Sequence, residues 1–246
     1  MSRQPSNGRT HFISFSGIDG AGKSTQIEAL SSHLRQEGLR VRVIGFWDDI
    51  AMLKRFRESA GHTLFKGDKG VGSPSRPINR KDKNVRSWPM SVVRLFIYSL
   101  DAISTRRTVK AALRSGDDLV IFDRYMYDEL ANLTLSNPIA RFYVQQVMKF
   151  VPWPRISYLL DANPEMARAR KPEYPIEFLY MNRRSYMTLV SIIGGITVIE
   201  PLPIPDVTRQ IIQQTLRELS FEIPNRDNGP TIGRPTSTKV IEETAC

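Results

Sequence analysis

Strand-like and helix-like segments alternate along most of this 246-residue chain, and the alternation predicts an α/β fold with a parallel sheet covered by helices on both faces. Two further observations agree with it. The compact apolar run Asp118 to Phe122 suits a strand buried within such a sheet. Near the N-terminus a strand-like segment leads into a glycine-rich turn and then an amphipathic helix, and a second strand follows at the distance expected of a βαβ unit.

The elements read in order as follows. His11 to Ser16 is a short strand, and Ser24 to Glu37 is a helix with Ile27, Leu30 and Leu34 at helical spacing and Gly38 placed to end it. Arg40 to Phe46 alternates as the second strand, residues 48–60 look helical, and 61–89 look like a long loop. Ser91 to Arg114 is a long helix stopping at Gly116, followed by the strand Asp118 to Phe122, a helix over Ile139 to Phe150 and a strand over Ile156 to Leu160. Pro164 can open a short helix as its first residue. Ile176 to Ile193 reads as helix, Ile196 to Ile199 as the fifth strand and Asp206 to Ser220 as the closing helix. One domain over 11–223 is expected, after a flexible N-terminus over 1–10 and before a disordered tail over 224–246, where Pro, Gly, Thr and Asn accumulate.

Composition narrows the class. A hydrophobic share of 41% and a charged share of 24% are ordinary for a globular protein. No stretch approaches the length of a membrane span, and the N-terminal residues carry no apolar export signal, so a cytoplasmic protein without an integral membrane segment is expected. The single cysteine, Cys246, closes no disulfide within the chain. The net charge of +10 is concentrated: Lys54 to Arg86 holds ten Lys or Arg against three acids. Such a block could attract nucleic acid, an anionic surface or a polyanionic substrate, or could be a solvated, flexible insertion over 61–89.

The turn after the first strand carries the strongest chemical signal. Gly17, Ile18, Asp19, Gly20, Ala21, Gly22, Lys23 and Ser24 meet the Walker A pattern at every fixed position. Chance would place that pattern in about one chain in a hundred of this length, so the flanking strand and helix matter as much as the letters. They aim backbone amides and the positive end of a helix at one anion, which predicts a P-loop NTPase fold binding ATP. Lys23 would reach the β and γ phosphates and Ser24 would ligate magnesium, with Thr25 either a further phosphate contact or a plain helix residue. Asp123, at the C-terminal end of a central strand where such sheets place their ligands, is expected near the magnesium, and Arg124 follows it.

These pieces resemble the thymidylate kinase family of P-loop nucleoside monophosphate kinases. The likeness is carried by FSGIDGAGKSTQ at 15–26, RLFIYSLDA at 94–102, LVIFDRY at 119–125, YLLDANPEMARARK at 158–171 and FLYMNRRSY at 178–186, in the family's order. It implies a nucleoside monophosphate kinase fold with a five-stranded parallel sheet between helical layers. It also implies a mobile lid bearing Arg168 and Arg170, with Lys171 beside them, over the ATP phosphates. By the same likeness Asp19 lies toward the acceptor and Arg124 contacts the transferred or acceptor phosphate.

The acceptor side departs from the family. Phe46-Trp47-Asp48-Asp49 stands where an Arg-Glu-Pro-Gly-like segment is usual, and Asp101-Ala102 replaces an Asp-Arg pair. Asp128 and Ala131-Asn132-Leu133 occupy the positions that read thymine. Arg94 or Arg86 could replace the lost arginine, Asp128 is a candidate acceptor-binding residue, and Trp47 could stack on a base or lie in the core. The expected activity is transfer of the γ-phosphoryl group of ATP to dTMP or a related phosphorylated acceptor. A kinase for another nucleotide, a phosphorylated sugar or a lipid-linked compound is the alternative, and an ATP-dependent binder of a polyanion is a third reading. Pairing as a homodimer is left open.

Overall fold

The computed structural model describes residues 10–47 and 88–220, the side chains of 88–93 and 220 excepted. The helix expected over 48–60, the basic residues Lys54 to Arg86, the N-terminal nine residues and the tail lie outside the described residues. The elements are β1 (His11–Ser16), α1 (Lys23–Gln36), β2 (Val41–Gly45), α2 (Trp88–Ala112), β3 (Leu119–Asp123), α3 (Met126–Leu130), α4 (Pro138–Phe150), β4 (Ile156–Leu160), α5 (Pro164–Arg170), α6 (Ile176–Ile193), β5 (Thr197–Ile199) and α7 (Ile204–Ser220).

The five strands are parallel, in the order β2-β3-β1-β4-β5. β1 lies at the centre because Ile13 and Phe15 are fully buried and its neighbours cover it on both edges. Each face of the sheet carries its own core. Ile13, Phe15, Leu119, Ile121 and Tyr158 pack with α1 and α7, whereas Phe12, Val120, Phe122 and Leu159 pack with residues of α2, α4 and α6. Leu119 to Phe122 has no exposure at all, which explains the unbroken apolar run.

Caps set several helix starts. Asn137 accepts a hydrogen bond from the Ile139 amide at 2.9 Å and Asn163 accepts from Glu165 and Met166 at 2.9 and 3.2 Å, each followed by a proline at the first helical position. The register brings Phe15 beside Asp123 and Ser16 beside Leu159, so the ends of β1, β3 and β4 share one edge of the sheet. The chain leaves β1 for β2 on one side and reaches β4 on the other, which makes this edge the switch point where α/β sheets bind ligands.

Two expectations change. The helix expected to begin at Ser91 begins at Trp88. The five-residue α3 had not been anticipated, since one and a half turns are too short to show a period.

Candidate active site

The loop between β1 and α1 is shaped by glycines with positive φ, and two of them are also close-approach points. Gly17 has φ +142°, and a Cβ there would lie 2.5 Å from the carbonyl oxygen of Leu160 at the end of β4. Gly20 has φ +83°, and a Cβ there would run into the backbone carbonyl of Ala167 in α5. The loop is therefore wedged between the end of β4 and α5. Gly22, also left-handed, caps α1, so the first amides of that helix open toward the cleft.

Lys23 folds back over this loop. Its Nζ donates to the carbonyls of Gly17 and Ile18 at 2.8 and 2.9 Å, and the side chain is buried. Burial, assisted by the nearby Arg124 charge, pushes its pKa down to about 8 against the opposing pull of Asp19, Asp128 and Asp123. Phosphates arriving beside Nζ reverse that balance and raise the pKa again. ATP binding should therefore take up more protons at about pH 9, where the free lysine is mostly neutral, than at about pH 7, where it is charged already. Calorimetry in buffers of different ionisation heat reads this directly; uptake equal at the two pH values would show that Lys23 is not depressed.

Arg124 adopts φ +72°, a conformation rare for residues other than glycine, while its amide donates to Phe15 at 2.9 Å. That turn carries the guanidinium over the end of β1, where Nη2 meets Asp19 at 2.5 Å and Nη1 meets Asp128 at 3.4 Å. Burial works against the arginine's charge, but Asp128 and Asp19 more than offset it and raise the pKa. Burial likewise acts to raise Asp19, and Arg124, Lys23 and Lys171 together hold it below the usual carboxylate range. Asp123 goes the other way: burial lifts its pKa, with Arg124 and Lys23 opposing.

These groups face a cleft of about 720 Å³, of the size that holds a nucleotide. Asp19 to Thr25 form one wall, Asp123 and Arg124 lie at the base, Met166, Arg170 and Lys171 line it from α5 and its C-terminal cap, and Glu200 to Ile204 close the far end. Gln26 fixes that far end by accepting from Thr208 at 2.8 Å, which binds α7 to α1. Of the residues singled out in the sequence, Asp19, Gly20, Ala21, Gly22, Lys23, Ser24, Thr25, Asp123, Arg124 and Arg170 meet here. Arg168 is half-buried and does not line the cleft, and Arg94 lies half-buried on α2 with a partner of its own. Asp128 is buried and accepts from Ser16, Tyr125, Tyr186 and Arg124, so its carboxylate is turned inward. Trp47 is part exposed, edge-on to Phe46 with ring centres 5.7 Å apart.

Sequence reasoning missed Asp161 and Arg183, whose two-point pair at 2.6 Å ties α6 to the end of β4, and missed Tyr186 and the Glu200 to Ile204 turn. The spacing Tyr180, Arg183, Tyr186 along α6 was the available signal for Arg183 and Tyr186.

A divalent cation fits the site. Ser24 and Asp123 line the same cleft, and two protein oxygens suit a hard ion held mainly by phosphate oxygens and water. Among the described residues no group of three or more His, Cys, Asp or Glu forms a cage of its own.

The phosphate loop, the Asp-Arg pair and the basic residues Arg170 and Lys171 around one cleft at the switch point fit a P-loop phosphotransferase of the nucleoside monophosphate kinase type. Comparisons with known proteins narrow the class. The family model for the methylmalonyl Co-A mutase-associated GTPase MeaB matches residues 2–48, the segment containing the phosphate loop. A probable thymidylate kinase of Methanosphaera stadtmanae is 24% identical over 209 residues, covering 83% of this chain and 96% of that one. The thymidylate kinase of Prochlorococcus marinus (strain MIT 9312) is 29% identical over 168 residues, 67% and 72% of the two chains. That of Symbiobacterium thermophilum is 25% identical over 230 residues, 89% and 96% of the two. The crystal structure of thymidylate kinase from Ehrlichia chaffeensis shares the fold, with a TM-score of 0.53 at 20% identity over 84% of this chain and 98% of that one. With the motifs above, these matches indicate a nucleoside monophosphate kinase-like enzyme, an ATP-dependent phosphotransferase similar to thymidylate kinases over most of its length.

Proposed function

We propose that the chain transfers the γ-phosphoryl group of ATP to dTMP or a related phosphorylated acceptor, as one catalytic unit over residues 11–223 in the cytoplasm. The observation that carries this reading is the convergence of Lys23, Arg124, Arg170 and Lys171 on one cleft that also contains Asp123 and the start of α1. Those amides and Lys23 bind the donor phosphates, and Arg124 binds the phosphate under transfer or its acceptor. Arg170 and Lys171 descend with the lid onto the charge that spreads over the transferring group. A phosphate oxygen of the acceptor attacks the γ phosphorus in line and the bond to ADP breaks; that oxygen is already deprotonated, so no side chain need remove a proton. Magnesium, held by Ser24 and Asp123 with the phosphates, would supply further positive charge. Closure of the lid excludes water, which would otherwise compete as the attacking group.

An acceptor other than dTMP is favoured by one feature of α2: Ala102, where the family carries arginine, is buried and can grip nothing. A screen that follows labelled γ-phosphate into product, with dTMP, other monophosphates and phosphorylated sugars, tests both readings. Label should enter at least one monophosphate, with dTMP preferred by no more than about a hundredfold because the base-reading positions are changed. ATP loss without a labelled acceptor would favour the ATP-dependent binding reading. Transfer confined to sugars would leave the kinase and remove dTMP. Among the described residues no helix is long and apolar enough to cross a membrane.

A further inference from the structure

We infer that Tyr186 and Asp128 are positioning residues for phosphoryl transfer, a buried pair that fixes the guanidinium of Arg124 in the cleft. The inference rests on Arg124 acting at the transferred or acceptor phosphate.

The sequence alone shows no purpose for a carboxylate at position 128, where the acceptor side departs from the family; the structure supplies one. Asp128 Oδ2 accepts from Ser16 Oγ at 2.6 Å and from the Tyr125 amide at 3.0 Å. Oδ1 accepts from Tyr186 Oη at 2.7 Å and from Arg124 Nη1 at 3.4 Å. Two donors on each oxygen use the carboxylate's full capacity, so rotating it breaks several bonds together. Each of these donors comes from a different place: the end of β1, the start of α3, α6, and Arg124 itself. The carboxylate is therefore held in one orientation by three elements, and it holds Arg124 in turn.

Arg124 needs that support. Its other partner, Asp19, sits in the cleft wall, where incoming phosphates and the lid change its surroundings. Asp128 lies beneath with its side chain 1% exposed, against 16% for Asp19, so it is the contact that ligand exchange does not disturb. Tyr186 completes it from α6, the helix whose Arg183 pairs with Asp161 and whose Tyr180 bonds Glu165 on the lid helix. One side of α6 thus touches the lid, the end of β4 and the support of Arg124.

The test is Tyr186→Phe, which removes one hydroxyl and keeps the ring, with Asp128→Asn as a second variant of the same shape. Side-chain nitrogen NMR of the arginines reads the proposal without any catalysis, the Arg124 signal being identified by its loss in Arg124→Lys. The wild type should show Arg124 with slowed guanidinium rotation, and both variants should lose that restraint. With ATP and dTMP as the probe pair, kcat should fall about ten- to a hundredfold while KM for ATP moves by less than about threefold. In an Arg124→Lys background the further change Tyr186→Phe should cost less than about twofold. A residue serving stability alone would lower the melting temperature and slow both backgrounds equally, which would overturn the proposal. An Arg124 signal unchanged in both variants would overturn it too. If the wild type gives no transfer to dTMP while Tyr186→Phe still frees Arg124, the positioning role stands and the choice of acceptor falls.

Discussion

Lys23→Ala is expected to remove transfer almost completely, lowering kcat by about a thousandfold or more while the fold survives. The loss follows from two roles of one ammonium group. In the free site Nζ ties the carbonyls of Gly17 and Ile18 and keeps the loop in its cradle shape; in the function proposed above it also faces the ATP phosphates. Alanine removes both the tie and the charge, and the nearby Arg124 is already paired with Asp19 and Asp128. Stability should change far less. The lysine's charge is costly to bury, as its lowered pKa records, and removing that cost offsets part of what is lost when the Gly17 and Ile18 carbonyls lose their donor. Circular dichroism and a thermal melt beside a labelled-phosphate assay decide it. Turnover near that of the wild type would remove Lys23, and the loop with it, from the catalytic account.

The elements legible in the sequence were those whose signal is local. Pro164 marks a helix start, Gly38 and Gly116 mark ends, and Leu119 to Phe122 announces burial on both faces. The phosphate loop was legible because its conformation demands glycine at fixed intervals, and such demands survive as letters. The cross-braces were not. Asp128 looks like a solvent-side or acceptor-facing acid until Ser16, 112 residues earlier, and Tyr186, 58 residues later, are seen to donate to it. Arg183 and Asp161 form a pair that only the fold brings together. Arg168 and Arg170 illustrate the same limit on a short scale: both are basic and two residues apart, yet the helix turns one into the cleft and the other aside. A chain of letters shows that this segment is basic; it takes the helix's rotation to say which arginine lines the cleft.

Gly20→Ala should be the most damaging single methyl in the loop, and Gly22→Ala shows why. Both glycines are left-handed, with φ of +83° and +92°, so alanine at either position carries a conformational cost of about 1–2 kcal/mol. Beyond that the two differ. Around Gly22 the nearest atom to a new Cβ is Arg170 Nη1 at 3.7 Å, ordinary contact with the movable end of a side chain. At Gly20 the new Cβ meets the carbonyl of Ala167, with that residue's carbonyl carbon at 2.8 Å and Cα at 3.0 Å, and backbone inside α5 has no rotamer to move to. Either the lid helix shifts away from the loop or the loop leaves its cradle. Overpacking of that kind adds about 1–3 kcal/mol to the strain, so Gly20→Ala should lose about 2–5 kcal/mol of stability against about 1–2 for Gly22→Ala. Urea denaturation without nucleotide measures the two side by side. Displacement of α5 also carries Arg170 and Lys171 away from the phosphates, so in Gly20→Ala the residual kcat should fall further than ATP binding does. Equal stability losses in the two variants would mean that α5 does not press on the loop, and that the lid stands off from the phosphates before ATP arrives.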